Sequence, residues 1–286
     1  KGGYDGDGGD GGNSTGLFLK DSSLNDFIGN TVKNQSGGPG GYGDHDGDNG
    51  YEGTSFGINL KFFSDDNTLK RNTVSENECG IYLIDSGNNL LYHNNIINNN
   101  NQSYDTSDNR WNYTYPVGGN YWSDYHGSDD HWGPDQDKPG SDAIGDTLMT
   151  IDGGPNVDQY PLKRPAGSRP YVLQTEPVDG SVDTQTGLDV EVVFSKSMNT
   201  SIVPRLNQTS GPNVTYSFSG WSSTIRANDT ATWAHANWST DSSISLRVFN
   251  SSSEEGKIGE NYSWSFKTED TTPPTSYVHS FSDYWE

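Results

Sequence analysis

Cys79 is the only cysteine in 286 residues, so no internal disulfide can form. It lies in the apolar run ECGIYL and reads as a small buried hydrophobe, not as a reactive thiol. No apolar run approaches the roughly 18 residues that a spanning helix needs, so this segment carries no membrane span of that kind. Basic residues are few: 17 Lys and Arg face 39 Asp and Glu, a net charge of −22, and no cluster of five or more basic residues occurs. Phosphate repulsion therefore argues against a nucleic acid or an anionic membrane as partner. Ala, Leu, Met and Lys, the strong helix formers, are scarce, and the hydrophobic fraction is 29%. Both facts point away from helices and from one large core, towards thin layers of strands and turns. The opening KGGYDGDGGDGG reads as a cut from something longer.

Asn, Ser, Thr, Gly and Tyr fill the space that is left. Eleven N-x-[ST] sequons begin at Asn13, Asn34, Asn101, Asn112, Asn199, Asn207, Asn213, Asn228, Asn237, Asn250 and Asn261. Seven of them crowd into 199 to 261, which suggests N-linked glycans and an extracellular or cell-surface location.

The first half repeats. NDFIGNTV from Asn25, NTLKRNTV from Asn67 and NLLYHNNI from Asn89 share the pattern N-x-φ-x-x-N-x-φ, where φ is apolar. Each follows a Gly-led apolar run: GLFL at Gly16, GINL at Gly57 and GIYL at Gly80. The second step is 22 residues. The first is longer by 20, which are assigned to the acidic, Gly-rich stretch at about 36 to 55. A period in the low twenties signals a solenoid. Leucine-rich repeats would need a more regular leucine frame, whereas short alternating runs parted by Asn, Gly and Ser fit a parallel β-helix. Asn at equivalent positions can then stack as ladders that satisfy turn backbone.

These rungs, with the closing segment GGNYWSDY…IGDTLMTIDGGPNVDQYPL over 118 to 162, resemble the NosD-like family of right-handed β-helix surface proteins. The resemblance implies a right-handed parallel β-helix with a C-terminal cap over 1–165, of which three rungs are visible. After a Pro-rich joint, 168–269 reads as strands and turns of a β-sandwich, and TEPVDGSVDTQTGLDVEVVFSKSMNTSIV resembles a bacterial Ig-like domain. The stretch 205 to 240 is too polar for firm strand assignment. Residues 270–286 read as a stiff Thr-Pro-Pro linker and an aromatic strand. Its Tyr277, Val278, Phe281, Tyr284 and Trp285 would either begin a further module or join a sheet edge.

Three acidic stretches invite a hard cation, because alternating Asp and Gly crowds carboxylates on one turn. They are Asp5, Asp7 and Asp10; Asp44, Asp46 and Asp48; and Asp135, Asp137, Asp142 and Asp146. Calcium is the expected ion, although none matches an EF-hand. The family name evokes copper, but Cys79, Met149 and Met198 stand alone, and His126 and His131 have no completing ligands nearby. Lyase chemistry would need a basic residue that Lys20, Lys33, Lys61, Lys70 and Arg71 do not cluster to provide. Carboxylate pairs are so abundant that they carry no signal. Trp111, Tyr113, Tyr115, Tyr121, Trp122, Tyr125 and Trp132 either stack on sugars or cap the solenoid, and capping fits better. The expectation is a structural or adhesive glycoprotein, not an enzyme. It would form a surface layer, sheath or filament by head-to-tail association of copies through a solenoid end or the C-terminal strand. A secreted carbohydrate-binding or carbohydrate-active β-helix is the alternative.

Overall fold

The computed structural model describes residues 6–44 and 47–272, so Asp5, Asp46 and the aromatic tail from 273 onward lie outside the described residues. The chain divides into two compact units that part between Arg169 and Pro170.

The first unit winds in turns. Turn one contains β1 (Ser14–Lys20), β2 (Asp26–Ile28) and β3 (Thr31–Lys33); turn two contains β4 (Ser55–Lys61), β5 (Thr68–Lys70) and β6 (Thr73–Ser75). Turn three contains β7 (Cys79–Ile84), β8 (Leu90–Tyr92) and β9 (Asn95–Ile97), and the last turn contains β10 (Asn101–Asp105) and β11 (Tyr121–Trp122). Equivalent strands pair in parallel to give three sheets, ordered β1-β4-β7-β10, β2-β5-β8 and β3-β6-β9-β11. A parallel β-helix is thus what the 22-residue period encodes. A fourth turn extends the three visible in the repeat; its Asn109 and Asn120 are shifted by a changed loop, which hides the pattern. Inside, Ile58, Leu60, Leu69, Val74, Ile81, Leu83, Leu91 and Ile96 are fully buried, and each stacks on its counterpart one turn away.

Corners make the polygon. Leu24, Asp66 and Asn88 precede one set of Asn, and Gly29, Arg71 and His93 precede another; all have positive φ. Such a corner turns the backbone amide of the next residue along the stacking axis, and an Asn placed there answers it. Asn67 Oδ1 accepts from the Asn25 N–H and Nδ2, and Asn89 Oδ1 accepts the same pair from Asn67, each at 2.9–3.0 Å.

The C-terminal end is closed by a cap that includes the small hairpins β12 (His131–Trp132) with β13 (Lys138–Pro139) and β14 (Met149–Thr150) with β15 (Val157–Asp158). Trp111, Trp122 and Ile151 complete the solenoid core.

The second unit holds β16 (Val172–Glu176), β17 (Val190–Phe194), β18 (Arg205–Ser210), β19 (Tyr216–Ser222), β20 (Thr230–His235), β21 (Ser243–Phe249) and β22 (Tyr262–Lys267). Two antiparallel sheets, β16-β17-β20-β19 and β18-β21-β22, share one core that includes Val192, Phe194, Trp233, Leu246, Trp264 and Phe266. Read in chain order, this is the ABED and CFG pairing of a seven-stranded sandwich. The polar stretch 205 to 240 supplies three of the strands. The inward positions of β18 and β19 are only half-buried and not all apolar, which hides their alternation in the sequence.

Candidate functional site: ladders, glycine bundle and cap

Three Asn ladders run the length of the solenoid. The first passes Asn25, Asn67, Asn89 and Asn109, and the second passes Asn30, Asn72, Asn94 and Asn120. The third passes Gln35, Asn77, Asn99 and Gln102. Along each ladder the bonds between members run from an N–H to the side-chain oxygen of the next member, while the second Nδ2 hydrogen of Asn67, Asn72, Asn94 and Asn99 turns back to a carbonyl of the preceding turn. The last member therefore needs an acceptor beyond it, and an aspartate takes part at each ladder's end, beside the Ser123 hydroxyl, 2.8 Å from Gln102 Nε2, in the third. Asn109 Nδ2 donates to Asp105 Oδ1 at 2.9 Å, the Asn120 N–H to Asp158 Oδ2 at 2.7 Å, and Gln102 Nε2 to Asp124 Oδ1 at 3.2 Å.

Asp105 and Asp158 are fully buried, and each also accepts an indole N–H, from Trp111 at 2.7 Å and Trp122 at 3.0 Å. Burial raises both carboxyls, Asp158 to about 7, against the N–H donors that favour the charged form. The same aromatics thus cover the last turn and hold its terminating acids in place.

Among the described residues the acidic Gly-rich stretches pair with one another through their backbones. Residues 6–14, 37–44 and 47–54 form a bundle of three extended segments. The N–H groups of Gly8, Gly11 and Ser14 donate to the oxygens of Asp48, Tyr51 and Thr54. Those of Gly38, Gly41 and Asp44 donate to Gly12, Gly9 and Gly6, and those of Gly50 and Gly53 to Gly41 and Gly38. A bond at every third residue is the period of a polyproline-II-type chain, which has no internal hydrogen bonds and must find them in neighbours. Glycine is required by closeness: a Cβ on Gly47, Gly50 or Gly53 would collide with the carbonyl of Gly6, Gly9 or Gly12. Asp7, Asp10 and Asn13 accept the N–H groups of Asp48, Tyr51 and Thr54 at 2.8–3.1 Å, so these side chains serve the bundle. Asp44 and Asp48 are exposed on its surface.

In the cap, Asp135 and Asp137 are exposed, while Asp142 and Asp146 organise separate turns. Asp142 accepts from Gln136 Nε2 at 3.0 Å and from the Ile144 N–H at 2.9 Å. Asp146 accepts from Ser128 Oγ and from the N–H groups of Asp130 and His131, and it pairs with His131 Nδ1 at 3.3 Å. Burial opposes its charge, but these donors together hold its carboxyl below the ordinary value. Asp129, which no motif singles out, accepts from Ser141 Oγ, Asp142 N–H and Ala143 N–H. Among the described residues no three His, Cys, Asp or Glu side chains converge as a metal site. A copper ion fares no better: Cys79 is buried, and burial, with Glu78 adding, pushes its thiol up to about 12.

Of the sequons, Asn13, Asn34, Asn207, Asn213, Asn237, Asn250 and Asn261 are exposed; Asn101, Asn112, Asn199 and Asn228 are half-buried. A cleft of about 520 Å³ beside the cap is lined by, among others, Arg110, Asn112, Tyr115, Asn156, Gln159 and Tyr160, with no carboxylate in its wall.

Residues 11–127 match the family model described as periplasmic copper-binding protein (NosD). The match spans β1 to β11 and ends before the cap hairpins. No curated protein matches the chain.

Proposed function

We propose that this protein is a structural and adhesive module of the cell exterior, a building block of a surface layer, sheath or filament that associates with copies of itself. The observation that carries this reading is the pairing of two differently built β units in one chain. One is a stack braced end to end by buried amide ladders, and the other is a sandwich that leaves β16, β18, β19 and β22 as edge strands. Edge strands are the usual template for strand addition between chains. The exposed sequons of the sandwich support a glycosylated exterior, and no helix among the described residues is long and apolar enough to cross a membrane. Electron microscopy and sedimentation of the native, glycosylated material test it: ordered lattices or filaments are expected. A monodisperse monomer at all accessible concentrations would overturn it.

The cleft beside the cap supports a second reading. Tyr115 and Tyr160, 6.1 Å apart between ring centroids, together with amide side chains, make a surface of the kind that binds sugars. Without a carboxylate in the wall it offers binding, not hydrolysis. Affinity for one of a panel of neutral and acidic polysaccharides, lost in Tyr160→Ala, would favour this reading.

A further inference from the structure

The two ends of the solenoid are chemically unlike, and the difference identifies what the N-terminal end accepts. β1, β2 and β3 are edge strands of their three sheets, all on one face of the stack. In the first two ladders every Asn of a later turn receives two N–H donors from the turn before it, as Asn67 and Asn72 do from Asn25 and Asn30. On the first turn, Asn25 Oδ1 and Asn30 Oδ1 accept nothing from the described residues, although their amides donate onward to Asn67 and Asn72. Gln35 Oε1, the head of the third ladder, is answered by Ser14 Oγ at 3.2 Å. Leu17 and Phe27 are only half-buried, whereas their counterparts Ile58, Ile81, Leu69 and Leu91 are fully buried.

A second feature of the same face is independent of the ladders. β1 and β4 pair 41 residues apart, and the Gly-rich segments that lead into them keep that register, so Gly6, Gly9 and Gly12 stand where Gly47, Gly50 and Gly53 stand one turn later. The later three must be glycine because a preceding segment lies against them. The earlier three repeat the spacing, yet a Cβ on any of them would meet nothing within 4 Å.

We infer that the N-terminal face docks one more solenoid turn built to this chain's own pattern: Gly-x-x-Gly-x-x-Gly leading into a strand, then two Asn five residues apart. Such a turn brings backbone and amide N–H donors to Asn25 and Asn30, apolar side chains to Leu17 and Phe27, and glycyl carbonyls to Gly6, Gly9 and Gly12. The first turn of a second copy is excluded as occupant, since it would set oxygen against oxygen. The capped end of a second copy is excluded as well, since its ladders finish on carboxylates beneath Trp111 and Trp122. This goes beyond the role proposed above and does not depend on the protein's location.

The test is a tandem duplication of residues 6–46 within the full chain, which adds one turn at the 41-residue period. Hydrogen exchange read by mass spectrometry should show the added strands protected by at least about a hundredfold over free chain. Gly9→Leu with Gly12→Leu in the original copy should abolish that protection. In the unduplicated chain the same pair should leave exchange and melting temperature unchanged. An added turn that exchanges as unfolded chain would overturn the inference, and so would one that docks equally well on the Leu variant. Neither result bears on whether native material forms lattices or filaments.

Discussion

Removing one amide from the middle of a ladder should cost far more than removing one from its open end, although both are the same substitution. Asn94 is fully buried and makes four side-chain hydrogen bonds. Its Oδ1 accepts the Asn72 N–H at 3.0 Å and Asn72 Nδ2 at 2.9 Å. Its Nδ2 donates to Leu69 O at 2.8 Å and Asn120 Oδ1 at 2.9 Å. Asn94→Ala leaves two donors of Asn72 and the Leu69 carbonyl short of partners, in a core that water does not reach. At about 1–3 kcal/mol for each buried group so orphaned, and allowing for shared partners, the loss is about 4 kcal/mol. For a unit of this size that is roughly a 10 °C fall in melting temperature. Asn30→Ala removes one side-chain donor, to Asn72 Oδ1 at 2.9 Å, and that oxygen still accepts the residue-30 N–H. The cost there is about 1 kcal/mol or less. Calorimetry, with exchange measured over residues 67–99 to assign the transition to the solenoid, gives both values. Equal losses from the two variants would refute the ladder as the source of stability.

Three further outcomes follow from the same geometry. Asp158, raised to about 7 in the folded unit against an ordinary value of 3.8, holds a proton that the unfolded chain has already lost between those values. The solenoid should therefore lose on the order of 4 kcal/mol as pH rises from about 4 to about 7, and Asp158→Asn should remove that slope relative to the parent; a slope unchanged in the variant contradicts it. Gly50→Ala should release the glycine bundle, seen as fast exchange over 6–14 and 37–54, because its Cβ has no room beside Gly9; retained protection counts against the bundle. Chelation with EDTA should leave the melting temperature of the cap unchanged, since Asp129, Asp142 and Asp146 have N–H donors of their own; a fall reversed by calcium would restore the cation reading.

What could be read in advance depended on whether a residue type has one structural use or several. Asn before a short alternating run has few uses, so N-x-φ-x-x-N-x-φ disclosed the turns, their 22-residue step and the ladders. The 20-residue insertion was legible in place and length, between β3 and β4. Its structure was not, because Asp between glycines suggests a cation as readily as it suggests side chains that accept backbone N–H. The missed signal was the three-residue period of Gly6, Gly9 and Gly12 against Gly47, Gly50 and Gly53. The terminating acids escaped notice for a different reason. Asp105, Asp124 and Asp158 lie up to 53 residues apart in the chain and converge on the ladders only through folding. In a sequence with 39 acidic residues, nothing local marks these three.

The stacking of turns also sets how the solenoid would yield to force. Tension applied at its first turn peels one turn from the next, and breaks the bridges of a single layer before the layer below is loaded. The chain set free at each rupture is unequal: the first turn is offset by 41 residues from the second, and later turns by 22. At about 3.4 Å per extended residue these are steps of about 140 Å and then about 75 Å. The glycine bundle is thus a reserve of length stored in the first turn, spent before the closely wound turns behind it begin to open.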